Sequence, residues 1–212
     1  MLDKTIEYKN VIMRLDDNKF GAVEPGLPDG FSFRFFLPSD VKHWSRIVTS
    51  VLEFDCEHSA ETYFVTSYLP HIEELLKRCL FVLNQDGDPV ATANAWFSVS
   101  ELGYQAGLHW VAVCPEYQGK GLGKAVTIKA LQVLHSLEGG SPVWLHTQTW
   151  SPVAIKLYHS LGFNMVQSGL LANTNPKSGK IRMYDNDFEE ALRVLKAVFG
   201  GEYTDELFKT AV

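Results

Sequence analysis

The stretch Gln118-Gly119-Lys120-Gly121-Leu122-Gly123-Lys124 constrains this chain more than any other segment. It follows a strand-like run, His109 to Val113, and opens a helical pattern in which Leu122, Val126, Ala130, Val133, Leu134 and Leu137 share one face. The first turn of a helix leaves its backbone N–H groups without intrahelical acceptors, and the helix dipole adds positive potential there, so the segment is built to meet an anion. Glycine suits such a place because a Cβ holds an anion away from the backbone and because left-handed φ angles come without strain. Two known glycine patterns do not fit. A phosphate-binding P-loop would need glycine where Gln118 stands and a hydroxyl where Ala125 stands. A dinucleotide fingerprint would need a third glycine at another spacing and an acidic residue on the next strand, yet Val143 to Thr147 has none.

The surrounding chain alternates strands and helices. Phe31 to Leu37 reads as a strand, Val41 to Val51 as a helix, and Ala60 to Cys79 as further helix interrupted near Pro70. Leu80 to Leu83 and Pro89 to Val99 flank the Asn84 to Asp88 turn, as in a hairpin. After the glycine loop and its helix, Val143 to Thr147 is a strand, and Ser151-Pro152 starts a helix with a hydroxyl cap and a proline in the first turn. Phe163 to Gln167 and Ile181 to Tyr184 read as two strands joined by a polar loop, and Asp187 with Glu190 forms a capping-box pattern before a last amphipathic helix closed by Gly200-Gly201. Ile6 to Leu15 permits a strand, followed by a connecting loop from Gly21 to Gly30.

With 212 residues, 46% of them hydrophobic, the chain can build one substantial core. A net charge of -6 without any dense Lys/Arg tract argues against a nucleic-acid surface. Cys56, Cys79 and Cys114 form no CxxC pair, which supports neither a disulfide framework nor a zinc site. No apolar stretch approaches the roughly 20 residues that cross a bilayer, and no signal pattern opens the chain, so the expectation is a cytoplasmic protein without a membrane partner.

Downstream, Ala154-Ile155-Lys156-Leu157-Tyr158-His159-Ser160-Leu161-Gly162-Phe163 supplies a second element. Together the two segments resemble the GNAT superfamily of acyl-CoA-dependent N-acyltransferases. That family's cofactor loop, R/Q-x-x-G-x-G/A, is matched by Gln118, Gly121 and Gly123, and its A-x-x-L-Y-x-x-x-G-F element by Ala154 to Phe163. The resemblance covers roughly residues 31 to 184 and implies a GNAT domain there, with residues 1–30 as an N-terminal extension packing on it and 185–212 as a C-terminal helical extension. The implied fold is α/β (α+β): a mixed, mostly antiparallel central sheet with flanking helices, whose fourth and fifth strands splay apart to admit a pantetheine arm. Those strands map to His109 to Val113 and Val143 to Thr147.

The resemblance further implies acetyl-CoA as cofactor, its pantetheine along Val111, Ala112 and Val113. Its pyrophosphate would lie on the backbone of Gln118, Gly119, Lys120, Gly121, Leu122, Gly123 and Lys124, with Ser151, Ala154 and Tyr158 alongside. Ser151 departs from the asparagine frequent at that place and is equally read as a helix cap. Tyr158 falls on the motif tyrosine that protonates the departing thiolate, and a phenol keeps its proton at neutral pH. Its alternative is an ordinary half-buried aromatic. An amine must lose a proton before it attacks a thioester, and His109 is the candidate base, because alternation places it on the face of Val111 and imidazole titrates near neutrality. A packed strand histidine is the competing reading, water is a competing base, and His146 is a weaker rival. The acceptor pocket is expected from Phe54, Glu57, Tyr63, Trp96 and His146, with the loop around Asn173 to Lys180. The acidic run Glu53 to Glu61 reads more readily as a solvated helix end than as an amine trap. Cys114, followed by Pro115, reads as a packed thiol rather than a nucleophile.

The function so implied is direct transfer of acetyl from acetyl-CoA to a primary amine, a small molecule rather than a protein. The rival is a CoA-binding sensor or interaction module without chemistry. A third reading, a nucleotide-binding regulator, has the missing glycine and hydroxyl against it. Either extension offers a surface for a homodimer.

Overall fold

The structure, a computed structural model, describes residues 2–168, 171–174 and 181–212. The chain runs through β1 (Asn10–Leu15), β2 (Ser32–Phe35), α1 (Val41–Ser50), α2 (Glu57–Ser67), α3 (Ile72–Arg78), β3 (Cys79–Leu83), β4 (Pro89–Ser100) and β5 (Gly103–Val113). It continues through α4 (Leu122–Glu138), β6 (Val143–Gln148), α5 (Pro152–Ser160), β7 (Asn164–Met165), β8 (Leu171–Thr174), β9 (Ile181–Tyr184), α6 (Phe188–Phe199) and α7 (Gly201–Thr210). A seven-stranded sheet has the order β2-β3-β4-β5-β6-β1-β7, and β8-β9 is a separate hairpin. All pairings are antiparallel except β5 with β6. The mixed, mostly antiparallel sheet with flanking helices follows the expectation.

Two helical layers cover it. On one face α4 lays Leu122, Val126, Ala130 and Leu134 against Leu80, Ala93 and Leu108, in a core that also holds Ile155 of α5 and Leu195 of α6. Leu137, on the predicted stripe, stays at the surface, whereas Ile128 and Leu131 are buried, because β3, β4, β5, α3 and the turn at Phe20–Ala22 enclose a wide arc of this helix. On the other face α1, α2 and α3 bury Trp44, Ile47, Phe64 and Leu75 against Phe81 and Trp96.

Several elements differ from the sequence reading. Pro70 does break the predicted helix, leaving α2 and α3 joined by a tight turn at Leu69–His71. Beyond Gly200, at φ 83°, the chain turns into a further helix, α7, where the sequence suggested one closing helix. Asp187 stands at the N-terminus of α6 without a side-chain cap bond; its Oδ2 accepts instead from Asn10 N at 2.8 Å and Asn10 Nδ2 at 3.1 Å. Of Phe163 to Gln167 only Asn164–Met165 pairs as strand, and it pairs with β1, while Ile181–Tyr184 pairs with Leu171–Thr174. The largest difference lies at the start of the chain. Residues 10–15 are an interior strand between β6 and β7, with Val11 and Met13 fully buried, so the first thirty residues do more than pack on a finished domain.

Counting that strand, the two that were expected to splay are the fifth and sixth. They do part. β5 and β6 pair only at Ala106↔Val143 and Gly107↔Trp144, and beyond these His109–Val113 and Leu145–Gln148 have no ladder between them. Backbone groups on that side of β5 therefore face a cleft.

Candidate active site

At the end of β5 the chain passes through a tight turn, Pro115–Tyr117, into the glycine loop. Gln118 Nε2 donates to Val113 O at 2.9 Å, so this side chain ties the loop to the strand. Gly119 and Gly121 adopt φ of 76° and 83°, and a Cβ added at either would meet no atom within 4 Å. Glycine is required here for its left-handed backbone, and the space beside it stays open. Among the described residues none of the backbone N–H groups from Gly119 to Lys124 has an acceptor in the chain; the first helical bond runs from Ala125 N to Gly121 O at 3.0 Å. A row of unpaired donors at the positive end of a 17-residue helix is an anion site in its own right.

The loop opens on a cavity of about 460 Å³. Val111, Ala112, Val113, Gln118, Gly119, Gly121, Leu122, Gly123, Lys124, Ser151, Ala154 and Tyr158 all line it, so the structure brings together nearly every residue named from the family motifs. Lys120 is the exception: its ammonium turns to the Tyr117 ring, 5.0 Å from the centroid. Ser151 stands at the N-terminus of α5, but its hydroxyl makes no cap bond, which removes the capping role read from the sequence.

A second cavity, of about 290 Å³, shares Val111, Ala112, Ser151, Ala154 and Tyr158 with the first. His109 and His146 line it. Tyr158 is 7% exposed, and burial, reinforced by the charge of Glu53, pushes its phenol up, so it holds its proton throughout the neutral range. Among the described residues its hydroxyl has no hydrogen-bond partner.

His109 is placed differently from the strand argument. Between Thr92 and Asn94 the β4–β5 register shifts, and Trp110 takes φ 54°. This bulge breaks the alternation: His109, like Trp110 and Ala112, faces the α1/α2 side, whereas Val111 and Val113 pack toward α4. His109 Nδ1 and Tyr68 Oη are 3.0 Å apart, and burial lowers the imidazole to about 4. The ring is neutral at pH 7 and a weaker base than the sequence suggested. His146 Nε2 lies 2.8 Å from Asn10 Oδ1, with its ring stacked on Tyr184 at 3.7 Å between centroids.

The other expected acceptor residues lie elsewhere. Phe54 and Tyr63 belong to the aromatic cluster around Trp44 and Trp110, packed at 5.6 Å from one another. Trp96 is buried against Tyr68. Glu57 is exposed in the first turn of α2, away from both cavities. Residues 175–180, most of the loop expected to complete the pocket, fall outside the described residues. Cys114 is buried and its thiol is pushed up by burial, with Arg46 Nη1 3.6 Å from the sulfur.

In their place stand Glu53, which the sequence read as part of a solvated helix end, and residues that the sequence did not single out. Helix α1 ends with Leu52 N donating to Thr49 O at 2.9 Å and Glu53 N to Val48 O at 3.2 Å, the two bonds of a Schellman motif. The left-handed position is Leu52, φ 70°, where glycine is usual. This turn brings Glu53 to the shared wall of both cavities, beside Tyr158. The Glu53 carboxylate keeps solvent access through the cleft, yet the protein packed around it raises its pKa from the ordinary 4.5, against the opposing bond from Gln148 Nε2 at 3.5 Å. The N-terminal segment closes the far side. Leu2 N donates to Val51 O, Asp3 N to Trp150 O and Trp150 Nε1 to Ile6 O, and Lys4 and Tyr8 enter the lining. Leu52 and Trp110, the two described non-glycine residues with left-handed φ, both line this second cavity. Backbone strain of this kind concentrates at working sites.

Residues 45–163, more than half of the chain, match the family model described as Acetyltransferase (GNAT) family. The chain belongs to the GNAT family. Its relatives include a mycothiol acetyltransferase of Pseudarthrobacter chlorophenolicus, 27% identical over 71% of this chain and 48% of that protein. The [ribosomal protein bS18]-alanine N-acetyltransferase of Escherichia coli K12 is 37% identical over 40% of this chain and 53% of its own length. The GNAT chain thus spans about half the length of the curated relatives it matches. Among solved structures, a GCN5-related N-acetyltransferase from Sphaerobacter thermophilus aligns with a TM-score of 0.58 at 19% identity, over 76% of this chain and 49% of that one. A GNAT-family acetyltransferase from Colwellia psychrerythraea aligns at 0.54 and 16%, over 75% and 54%. At these identities the structural likeness speaks for the fold. Among the described residues no helix is long and apolar enough to cross a membrane.

Proposed function

We propose that this GNAT chain transfers acetyl from acetyl-CoA to the primary amine of a small molecule. The observation that carries the reading is the row of unpaired N–H groups from Gly119 to Lys124, which opens on the same cleft as Tyr158 and Glu53. The residues present suit the cofactor. Gly119 to Lys124 would take the pyrophosphate, and the unpaired side of β5 at Val111 and Val113 would take the pantetheine amides. Acetyl-CoA supplies the activated acetyl group as a thioester.

The chain's own residues then handle two protons. A primary ammonium has a pKa near 10, as lysine does, so the acceptor arrives charged and must be deprotonated. Glu53 is better suited to take that proton than His109, because its carboxylate is raised from 4.5 while the imidazole is lowered to about 4. The negative charge of Glu53 also draws the ammonium toward the shared wall. Tyr158 Oη keeps a proton for the departing thiolate. His109, held by Tyr68, serves as a neutral polar wall of the acceptor cavity. The relatives' names include one small-molecule and one protein acceptor; a cavity of about 290 Å³ favours the small one.

Calorimetric titration with acetyl-CoA tests the foundation. Saturable binding is expected for the native chain and is lost in Gly121→Glu, whose side chain occupies the anion position. Tyr158→Phe and Glu53→Gln are expected to retain binding and to lose about 10²–10⁴-fold in thiol release with an acceptor. Binding without turnover of any amine favours the sensor module; no binding removes the reading altogether.

A further inference from the structure

The acceptor cavity carries a charge arrangement that neither the family motifs nor the relatives specify. Its lining among the described residues holds one carboxylate, Glu53, and one ammonium, Lys4. Their positions differ along the cleft. Glu53 lines both cavities and stands beside Tyr158, so it marks the end where acyl transfer would occur. Lys4 lines the acceptor cavity alone, with its Nζ 5.5 Å from the centre of the Trp150 ring. The two are close enough for the Lys4 charge to lower the Glu53 pKa, against the upward push of burial. Among the described residues Lys4 forms no ion pair, although Lys9, Lys19 and Lys77 each do.

The segment that presents Lys4 is built in, not draped. Leu2 and Asp3 donate backbone bonds to Val51 and Trp150, at 3.2 and 2.8 Å, and Ile6 accepts from the Trp150 indole at 2.7 Å. The same cavity is lined by four aromatic side chains, Trp110, Trp150, Tyr8 and Tyr184. A cation in the acceptor cavity repels a simple amine approaching in its ammonium form, by an amount that rises as water is excluded. An acceptor that also carries a carboxylate satisfies both ends.

We infer that the acceptor is a small amino acid-type zwitterion, a primary amine and a carboxylate on one molecule with an apolar or aromatic body, and that Lys4 is the residue that selects it. The ammonium lies against Glu53 and the carboxylate against Lys4, while the body lies between the indole and phenol rings. The transfer is balanced within the proposed reaction: the ammonium proton passes to Glu53, the new N–acetyl bond replaces the thioester C–S bond, the thiolate takes the Tyr158 proton, and the second N–H proton, released as the amide forms, restores the phenol. The inference rests on the acetyl-transfer reading.

The test measures thiol release by the full chain from acetyl-CoA with matched acceptors: L-phenylalanine, L-phenylalaninamide and phenethylamine, then L-leucine against L-leucinamide. Acetyl-CoA binding is titrated in parallel, so that failure of the acetyl-transfer reading shows as loss of binding and failure of this inference as binding without carboxylate preference. The free acids are expected to exceed their amides by about tenfold or more in kcat/KM. Lys4→Met is expected to erase that preference through KM, and Lys4→Arg to restore most of it. Equal turnover of acid and amide, no turnover of any acid, or an undiminished preference in Lys4→Met each overturns the inference.

Discussion

Replacing Gly121 and Gly123 separately by alanine distinguishes an anion-binding loop from a mere turn, because the structure gives the two changes opposite consequences. At Gly121 the backbone sits at φ 83° and the added methyl touches nothing within 4 Å, so only the left-handed backbone opposes the change. That strain costs about 1–2 kcal/mol, and the loss of unfolded-chain freedom returns about 0.4–1 kcal/mol. A net loss of about 1 kcal/mol remains, which lowers Tm by about 2–4 °C in a chain of this size. Gly123 lies in the first turn of α4, and its added methyl meets Val113 Cγ2 at 3.6 Å and Leu157 Cδ2 at 3.8 Å, both ordinary contacts. Helix propensity then favours alanine by up to about 1 kcal/mol. Val113 and Leu157 line the cofactor cavity, so that methyl narrows it. Thermal melts should show Gly121→Ala below the native chain and Gly123→Ala at or above it, while calorimetry with acetyl-CoA shows weaker binding in both, by about tenfold. A Gly121→Ala chain as stable as the native one refutes the backbone argument; a Gly123→Ala chain of undiminished affinity refutes the placement of the ligand.

Three further outcomes follow from named contacts. His109 has its pKa lowered from 6.5 to about 4 in the folded chain, so the unfolded chain binds the extra proton first, and stability falls as pH drops from 6.5 toward 4, by about 3 kcal/mol in full; urea titrations at pH 7 and 4.5 should show this slope in the native chain and a shallower one in His109→Gln, and equal slopes contradict the burial of that ring. Leu52→Gly removes the left-handed strain at the end of α1 and should stabilise by up to about 1 kcal/mol in thermal melts while lowering turnover, since Glu53 loses its fixed approach to the cleft. Asp187→Ala removes the acceptor of two Asn10 hydrogen bonds and should destabilise by about 1.5–3 kcal/mol in denaturant titration, with Asp187→Asn recovering part of the loss.

Features with a local physical signal were legible in the sequence. Alternate glycines after a strand mark a bend that favours positive φ, and Gly119 and Gly121 do adopt it. The apolar stripe of α4 needs only its own spacing, and Pro70 breaks a helix wherever the helix packs. The acceptor cavity depends instead on partners distant in sequence. Ile6 to Leu15 has the composition of a strand, but nothing in it tells that Asn10 lies opposite Gln148. That register carries residues 2–8 alongside Trp150 and makes Lys4 and Tyr8 part of the wall. A strand's partner is chosen by the whole core, and Val11 and Met13 are paid for by burial against helices more than a hundred residues away.

Two placements in the cleft turn on one backbone feature. Alternation along β5 assigned His109 to the face of Val111, which the structure reverses; the acidic run read as a solvated helix end, and Glu53 is indeed exposed, but toward the cleft. Both readings took non-glycine residues to avoid left-handed φ. Trp110 and Leu52 break that assumption at 54° and 70°, the first rotating His109 onto the α1/α2 face and the second bending Glu53 into the cleft. A bulky residue is held in such a conformation only when packing or hydrogen bonding offsets the strain, and exposed Leu52 has the two bonds that end α1. Trp110 has that packing, with its indole 5.5 Å from Trp44 and 5.3 Å from Phe54. Phe54 and Tyr63 therefore bear on the site without lining it: their rings hold Trp110 in place, and Trp110 fixes which face of β5 meets the acceptor. Trimming Phe54 would release the bulge before it touched any ligand, and the acceptor KM would rise together with a loss of stability. A side chain in direct contact with the acceptor would change KM alone.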